Sequence, residues 1–375
     1  MIIVKHLALS GYKSIEHLDL EFGHLNVLIG ANGSGKSNLL SFFKLLKYIP
    51  KGDLRYYISK FEAGANNILY YGAKKTKRFD AKVDFEDGSG DRYRYDFSLG
   101  YAADDRMIFE KEQYQFSQKV AQDRYETTDV PLGSGETESR LRRNSEKREI
   151  GMNGLCELLE SCRLYHFNDT SLTAPIRQNT RFGNITGRLK SEGDNLAHIL
   201  YRQSIESPSH YRIIVDCIRQ VMPWFKEFVW EPNPQEIVQL KWRGEDPDYI
   251  FTPHQAPDGA IRAMALITLL LNCRTNQTLH NRVILIDEPE LGLHPSAICT
   301  IASLIHDASY NAQVIIATQS PTLLDYFEPE NVIVVDWEKD GSHFTRQSPA
   351  SLEDWLKDYS LSELWEKNVI GGGPF

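Results

Sequence analysis

Apolar and polar positions alternate over residues 2–9 and again over 18–22, on either side of Gly11-Tyr12-Lys13-Ser14. This predicts two strands joined by a short connection. The continuous run Leu25-Asn26-Val27-Leu28-Ile29 predicts a buried strand. The stretch after it carries Leu39, Leu40, Phe42, Phe43, Leu45, Leu46 and Ile49, apolar nearly all round, which predicts a buried helix. Pro50-Lys51-Gly52-Asp53 stops that helix. From Arg78 to Phe116 the period becomes two: Phe79, Ala81, Val83 and Phe85, then Tyr93, Tyr95 and Phe97, then Ile108, Tyr114 and Phe116. With Asp87-Gly88-Ser89-Gly90 as a hairpin loop, this predicts an antiparallel sheet.

Residues 117–150 are polar and charged; the pattern predicts a mobile loop over Asp129–Gly135 and a charged helix over Glu136–Glu149. A helix through Leu155, Leu158 and Leu159 leads to the strand Leu164-Tyr165-His166-Phe167, which ends in Asn168-Asp169-Thr170. Helical patterns follow at 195–206 and 209–222. A strand-like region then carries Trp224, Phe225, Phe228, Trp230 and Trp242, read as core aromatics rather than a base-stacking platform. Two further buried strands end in polar side chains: Val283-Ile284-Leu285-Ile286 before Asp287-Glu288-Pro289-Glu290, and Val314-Ile315-Ile316-Ala317 before Thr318-Gln319-Ser320-Pro321. The expected fold is α/β, a mostly parallel core sheet with an adjoining antiparallel sheet and a smaller helical lobe. Residues 1–116 form its first part, 117–163 a charged insertion of helix and loop, 164–280 the helical lobe, and 281–375 the return to the core sheet with closing helices.

Composition narrows the class. The 375 residues are 41% hydrophobic and 25% charged, as in globular proteins. The longest apolar run, around Ala263 to Leu271, falls short of the ~20 residues of a membrane span. The N-terminus reads as a strand and not as a signal peptide. Five scattered cysteines predict reduced core thiols and, with the foregoing, a cytoplasmic protein without a membrane partner. The net charge of −9 argues against a general polyanion binder. Two local basic stretches remain candidate DNA or partner contacts: Lys74, Lys75, Lys77 and Arg78, and Arg140, Arg142 and Arg143. The second reads more readily as a solvated helix face than as a nucleic-acid contact, because acidic residues interleave it.

The chemistry lies in Gly30-Ala31-Asn32-Gly33-Ser34-Gly35-Lys36-Ser37, a complete G-x-x-x-x-G-K-[ST] between a predicted strand and a predicted helix. Its glycines let backbone N–H groups wrap phosphate oxygens at a helix N-terminus. Lys36 is expected to reach the β- and γ-phosphates, Ser37 to hold magnesium, and Asn38 to sit beside the nucleotide; Lys13 and Ser14 are expected within its reach. Asp287 and Glu288, at a strand end, are expected to hold magnesium and to activate water, with Gln319 sensing the γ-phosphate or the water. Asp258, Gly259 and Ala260 open another helix and so present a second anion-binding surface. One phosphate loop and two such surfaces suggest use in trans.

The order of phosphate loop, inserted lobe, Asp258-Gly259 opening a helix, hhhhDEPE, Gly292-Leu293-His294-Pro295 and a strand ending Thr318-Gln319-Ser320-Pro321 resembles the ABC-type ATPases of the RecF, SMC and OLD branch. Tyr165-His166-Phe167-Asn168-Asp169-Thr170-Ser171, Asp194-Asn195-Leu196-Ala197 and the tail Tyr359 to Glu366 with Gly371-Gly372 resemble its compact standalone bacterial members, associated with defence. The resemblance implies a P-loop ATPase head that binds ATP and Mg2+. It implies a homodimer with two ATP molecules in its interface, Asp258, Gly259 and Ala260 as the trans signature, and Gly292, Leu293, His294 and Pro295 as the interface loop. DNA, or a nuclease or toxin effector, is the implied partner, in DNA maintenance or phage defence. Pro257 stands where the family carries the signature serine, which favours slow hydrolysis. The alternative is accordingly a low-turnover, nucleotide-controlled scaffold that holds or inhibits a toxin or nuclease. Asn168 is a candidate for the family's glutamine-loop position. A nuclease is disfavoured because the residues after Ser320 suffice only for a strand, a hairpin and closing helices.

Overall fold

The computed structural model describes residues 2–122, 124–141, 149–178, 180–181, 187–231, 237–273 and 283–373. Arg142 and Arg143 of the second basic stretch lie outside them.

Two six-stranded sheets frame the molecule. The first is antiparallel, in the order β2-β1-β4-β5-β6-β7: β1 is Ile3–Tyr12, β2 Ile15–Glu21, β4 Arg78–Glu86, β5 Arg92–Ala102, β6 Arg106–Ala121 and β7 Arg124–Gly133. The second runs β17-β16-β3-β15-β14-β8, with β3 Leu25–Ile29, β8 Cys162–Tyr165, β14 Val283–Asp287, β15 Gln313–Thr318, β16 Val332–Glu338 and β17 Gly341–Arg346. All its neighbours pair in parallel except β16 with β17.

The parallel strands are mainly apolar because both of their faces are covered. Leu28, Leu285 and Ile315 face one core, shared with the antiparallel sheet and with helix Lys36–Leu46. Val27, Ile29, Ile284, Ile286, Val314 and Ile316 face the other, covered by helices Leu196–Glu206, Pro208–Val221, Asp258–Asn272 and Pro295–Ser309. Edge-on rings lock the first helix to the antiparallel sheet, Tyr12 on Phe42 at 5.6 Å and Phe22 on Phe43 at 5.7 Å.

Of the aromatics expected in the core, Trp224 and Trp230 are half-buried against it and the other three lie inside. Phe225, Phe228 and Trp242 are buried, and Trp242 stacks on Phe251 at 6.1 Å. Phe228, Trp242 and Phe251 belong to a small sheet of β10 (Glu227–Phe228), β12 (Trp242–Arg243) and β13 (Ile250–Phe251); β9 (Thr180–Arg181) and β11 (Ile237–Val238) form a two-stranded pair.

Residues 117–141 differ from expectation. β6 runs on to Ala121 and β7 pairs with it from Ala121↔Arg124 to Glu112↔Gly133, so most of the loop expected over Asp129–Gly135 is an edge strand. Its side chains are largely exposed, which removes the alternation that would mark a strand. No helix forms over residues 136–140, and 142–148 lie outside the described residues. A buried carboxylate holds this segment extended. Glu112 accepts from Tyr95 Oη at 2.7 Å, from Arg140 N at 3.1 Å and from Ser139 Oγ. Glu138 in turn accepts from the N–H groups of Leu54 and Arg55, both at 2.9 Å, capping helix Leu54–Phe61.

Candidate nucleotide site

The carboxyl ends of β3, β14, β15 and β8 lie along one edge of the parallel sheet, where open α/β sheets bind ligands. The phosphate loop leaves β3 there. Gly33 and Gly35 have φ of 81° and 111°, in the left-handed region. At Gly35 a Cβ would also collide with Ser342 Oγ, so two constraints demand glycine. The loop ends in helix Lys36–Leu46, whose first turn exposes Ser37, while Asn32 and Gly33 are open to solvent. This is an anion cradle of backbone N–H groups backed by a helix N-terminus.

Lys36 lies under the loop. Its Nζ donates to the carbonyls of Gly30 at 2.6 Å and Ala31 at 2.9 Å. Burial lowers its pKa, opposed by the carboxylates of Asp287, Glu288 and Glu290. Ser37 Oγ donates to Asp287 Oδ2 at 3.3 Å, joining groups 250 positions apart. Burial raises the Asp287 pKa, against the Ser37 hydrogen bond and the Lys36 charge. A hydroxyl and a carboxylate this close form a hard-oxygen donor set, which fits a magnesium ion carried with a nucleotide.

Glu288 follows with φ of 49°, a conformation rare outside glycine, held by its N–H to Ala317 O at 2.8 Å. Its Oε1 accepts from Gln319 Nε2 at 3.0 Å. Glu290 is a third carboxylate to which sequence reading gave no role. Its Oε1 accepts from Thr318 Oγ1 at 2.6 Å and Gln319 N at 3.4 Å, so it fixes the end of β15 against the turn after β14. Burial raises its pKa.

Asn38 and Ser14 line the opposite side. Asn38 Nδ2 donates to Ser14 Oγ at 2.7 Å, and Ser14 Oγ meets Ser342 Oγ at 2.6 Å. Lys13 turns away from the loop, its Nζ on Glu62 Oε2 at 2.7 Å and Ser41 Oγ at 2.8 Å. Lys13, Ser14 and Asn38 line a groove of about 460 Å³ with Glu62, Leu69, Tyr71 and Trp337.

The segment expected to give a second anion-binding surface is built around Arg177, which is buried. It donates to Thr170 O at 2.7 Å, to the carbonyl of Pro253 and to Asp258 Oδ1 at 2.6 Å, and so fixes the chain that enters helix Asp258–Asn272. Pro257 is the N-cap of that helix. Gly259 abuts Gly292, whose carbonyl a Cβ at 259 would strike. The residues expected as signature and as interface loop are therefore in contact within one chain, and Asp258, Gly292, His294 and Pro295 are exposed, with Leu293 half-buried and Ala260 buried. Arg262, one turn on, donates to Phe167 O at 2.9 Å, Asn168 O at 2.6 Å and Leu291 O at 3.1 Å. Asn168 thus offers its carbonyl to Arg262.

Several cations of the two basic stretches are engaged by neighbouring groups. Arg78 pairs with Asp80 at 3.3 Å and Glu110 at 3.6 Å, Lys75 lies over Tyr71 at 4.4 Å, and Arg140 pairs with Glu136 at 3.1 Å; Lys74 and Lys77 are exposed.

A phosphate loop beside a strand-end Asp-Glu pair, on a mixed sheet flanked by an antiparallel one, defines a P-loop domain with the fold of SMC heads. Residues 25–325 match the family described as "AAA domain, putative AbiEii toxin, Type IV TA system", and the chain belongs to it. Among solved structures, the Smc head bound to the C-winged helix domain of ScpA aligns with a TM-score of 0.58 at 15% identity, over 94% of this chain and 99% of that one. The Smc head domain with an extended coiled coil bound to the C-terminal domain of ScpA, from Pyrococcus furiosus, aligns with 0.58 at 13% identity, over 96% and 99%. These similarities show the fold. No curated protein matches the sequence. Among the described residues no helix is long and apolar enough to cross a membrane.

Proposed function

We propose that the chain binds Mg-ATP at the phosphate loop, dimerises around it and hydrolyses it, coupling closure to DNA or to an effector protein in defence or DNA maintenance. The observation that carries this reading is the convergence of Ser37, Asp287, Glu288 and Gln319 at one sheet edge, with bonds of 3.3 Å and 3.0 Å between the pairs. The N–H groups of Gly33 to Ser37 and Lys36 hold the phosphates. Ser37 and Asp287 hold the magnesium ion, which neutralises phosphate charge when bound. Glu288 accepts a proton from the attacking water, and Gln319 orients that carboxylate.

Dimerisation rests on the exposed face of Asp258, Gly292, His294 and Pro295, which presents a helix N-terminus to a second copy. The family's association with a toxin–antitoxin system points to an effector partner. A second reading, a low-turnover scaffold that holds a toxin or nuclease, draws on Pro257. At the N-cap it offers neither a hydroxyl nor an N–H to a phosphate. Strong stimulation of turnover by DNA alone would count against the scaffold.

The test is solution mass by light scattering for wild type and Glu288→Gln, with and without Mg-ATP. A mass that doubles only with Mg-ATP, most clearly in Glu288→Gln, supports the dimer. A mass that ignores ATP despite proven binding removes the switch.

A further inference from the structure

We infer that the His166 ring nitrogen Nδ1 is a ligand of the divalent cation that the nucleotide brings, completing the set begun by Ser37 and Asp287. The inference rests on the nucleotide reading above and adds to it a residue that sequence order did not single out.

β8 pairs in parallel with β14 in the register Tyr165↔Ile286, so the next residues, His166 and Asp287, leave the two strands side by side at the ligand edge. The ring reaches across. His166 Nδ1 lies 3.9 Å from Asp287 Oδ2, the same oxygen that accepts from Ser37 Oγ at 3.3 Å. Two ligands each about 2 Å from one cation stand at most about 4 Å apart, so His166 and Asp287 can share an ion with little movement. The strand end is anchored, since His166 N donates to Ser191 O at 2.9 Å. The ring is partly exposed, 38% of the side chain against 13% for Asp287.

The chemistry has a consequence. An imidazole nitrogen is a poorer partner for Mg2+ than for Mn2+ and later divalent metals, so a site of one imidazole, one carboxylate and one hydroxyl shifts preference toward Mn2+. Nδ1 as the ligand leaves the proton on Nε2.

The probe is Mn2+ with ATP on the Glu288→Gln protein, read by pulsed electron paramagnetic resonance, with histidine either unlabelled or 15N-labelled. The expected result is a nucleotide-dependent Mn2+ signal coupled to a histidine nitrogen, which changes isotope with the label and vanishes when His166→Ala is added. His166→Ala is also expected to weaken Mn2+ affinity about tenfold and Mg2+ affinity less. His166→Gln should keep an oxygen ligand and move the preference back toward Mg2+. Thermal melts of the metal-free proteins establish that both variants fold. A nucleotide-dependent signal with no histidine nitrogen overturns the ligand assignment alone. Absence of any nucleotide-dependent signal removes the nucleotide reading, and this assignment with it.

Discussion

Gln319 Nε2 donates to Glu288 Oε1 at 3.0 Å, tying the end of β15 to the strained residue after β14. A neutral donor fixes the direction of the carboxylate, which is what a water-activating base requires. Glu288→Gln is therefore expected to lower ATP turnover by about 10²–10⁴-fold while nucleotide binding persists, measured by steady-state phosphate release and equilibrium dialysis. Gln319→Ala should reduce kcat with a smaller change in nucleotide affinity, because it frees the Glu288 side chain without touching the phosphate loop.

Gly35 carries both a φ of 111° and the Ser342 hydroxyl where a Cβ would lie. Gly35→Ala is expected to abolish nucleotide binding and to destabilise the protein by about 1–3 kcal/mol, from strain at a positive φ. Nucleotide-dependent protection in thermal melts should disappear with it. Trimming Ser342 to glycine relieves only the collision, so a rescue of stability without rescue of binding would separate the two causes.

Arg177 meets the carbonyls of Thr170, Pro253 and Ala256 and the Asp258 carboxylate from a buried position. Arg177→Met is expected to cost about 2–3 kcal/mol in urea unfolding, since buried acceptors lose their donor. Arg177→Lys should recover little, because an ammonium cannot span the same fork. ATP-dependent dimerisation of the variant should fall further than ATP binding, since Asp258 sits on the exposed face and not in the phosphate loop.

Burial raises the Glu290 pKa above the ordinary glutamate value of 4.5. In that case the folded state binds the proton more tightly than the unfolded state. The stabilisation is full below pH 4.5 and is lost as pH rises through the folded-state value. Glu290→Gln keeps the acceptor for Thr318 and Gln319 and removes the buried charge. Its Tm is expected to exceed that of wild type at neutral pH, with the gap closing as pH falls toward 4.5. A gap that widens on acidification would contradict this.

How much of the site was legible depended on how local each signal is. The phosphate loop is contiguous, and its strand, turn and helix are specified within residues 25–46. Asp287-Glu288 was equally readable, because an apolar run that stops at two carboxylates places them at a strand end. Glu290 stood in the same motif, but its partner Thr318 is set by the pairing of β14 with β15. The aromatics after Pro223 were read as core because buried rings need no partner to be recognised. β7 was missed for the opposite reason, an edge strand whose exposed side chains leave no period.

By itself, then, the sequence determined the phosphate loop, the strand-end carboxylates, the α/β class and the apolar faces, all of which follow from side-chain period and from glycines at fixed spacing. Only the tertiary structure decided that His166 stands beside Asp287, that Arg177 braces Asp258 and that Gly259 meets Gly292. These neighbours come from strand register and packing between segments dozens to more than a hundred residues apart, and no local pattern encodes a register between distant strands.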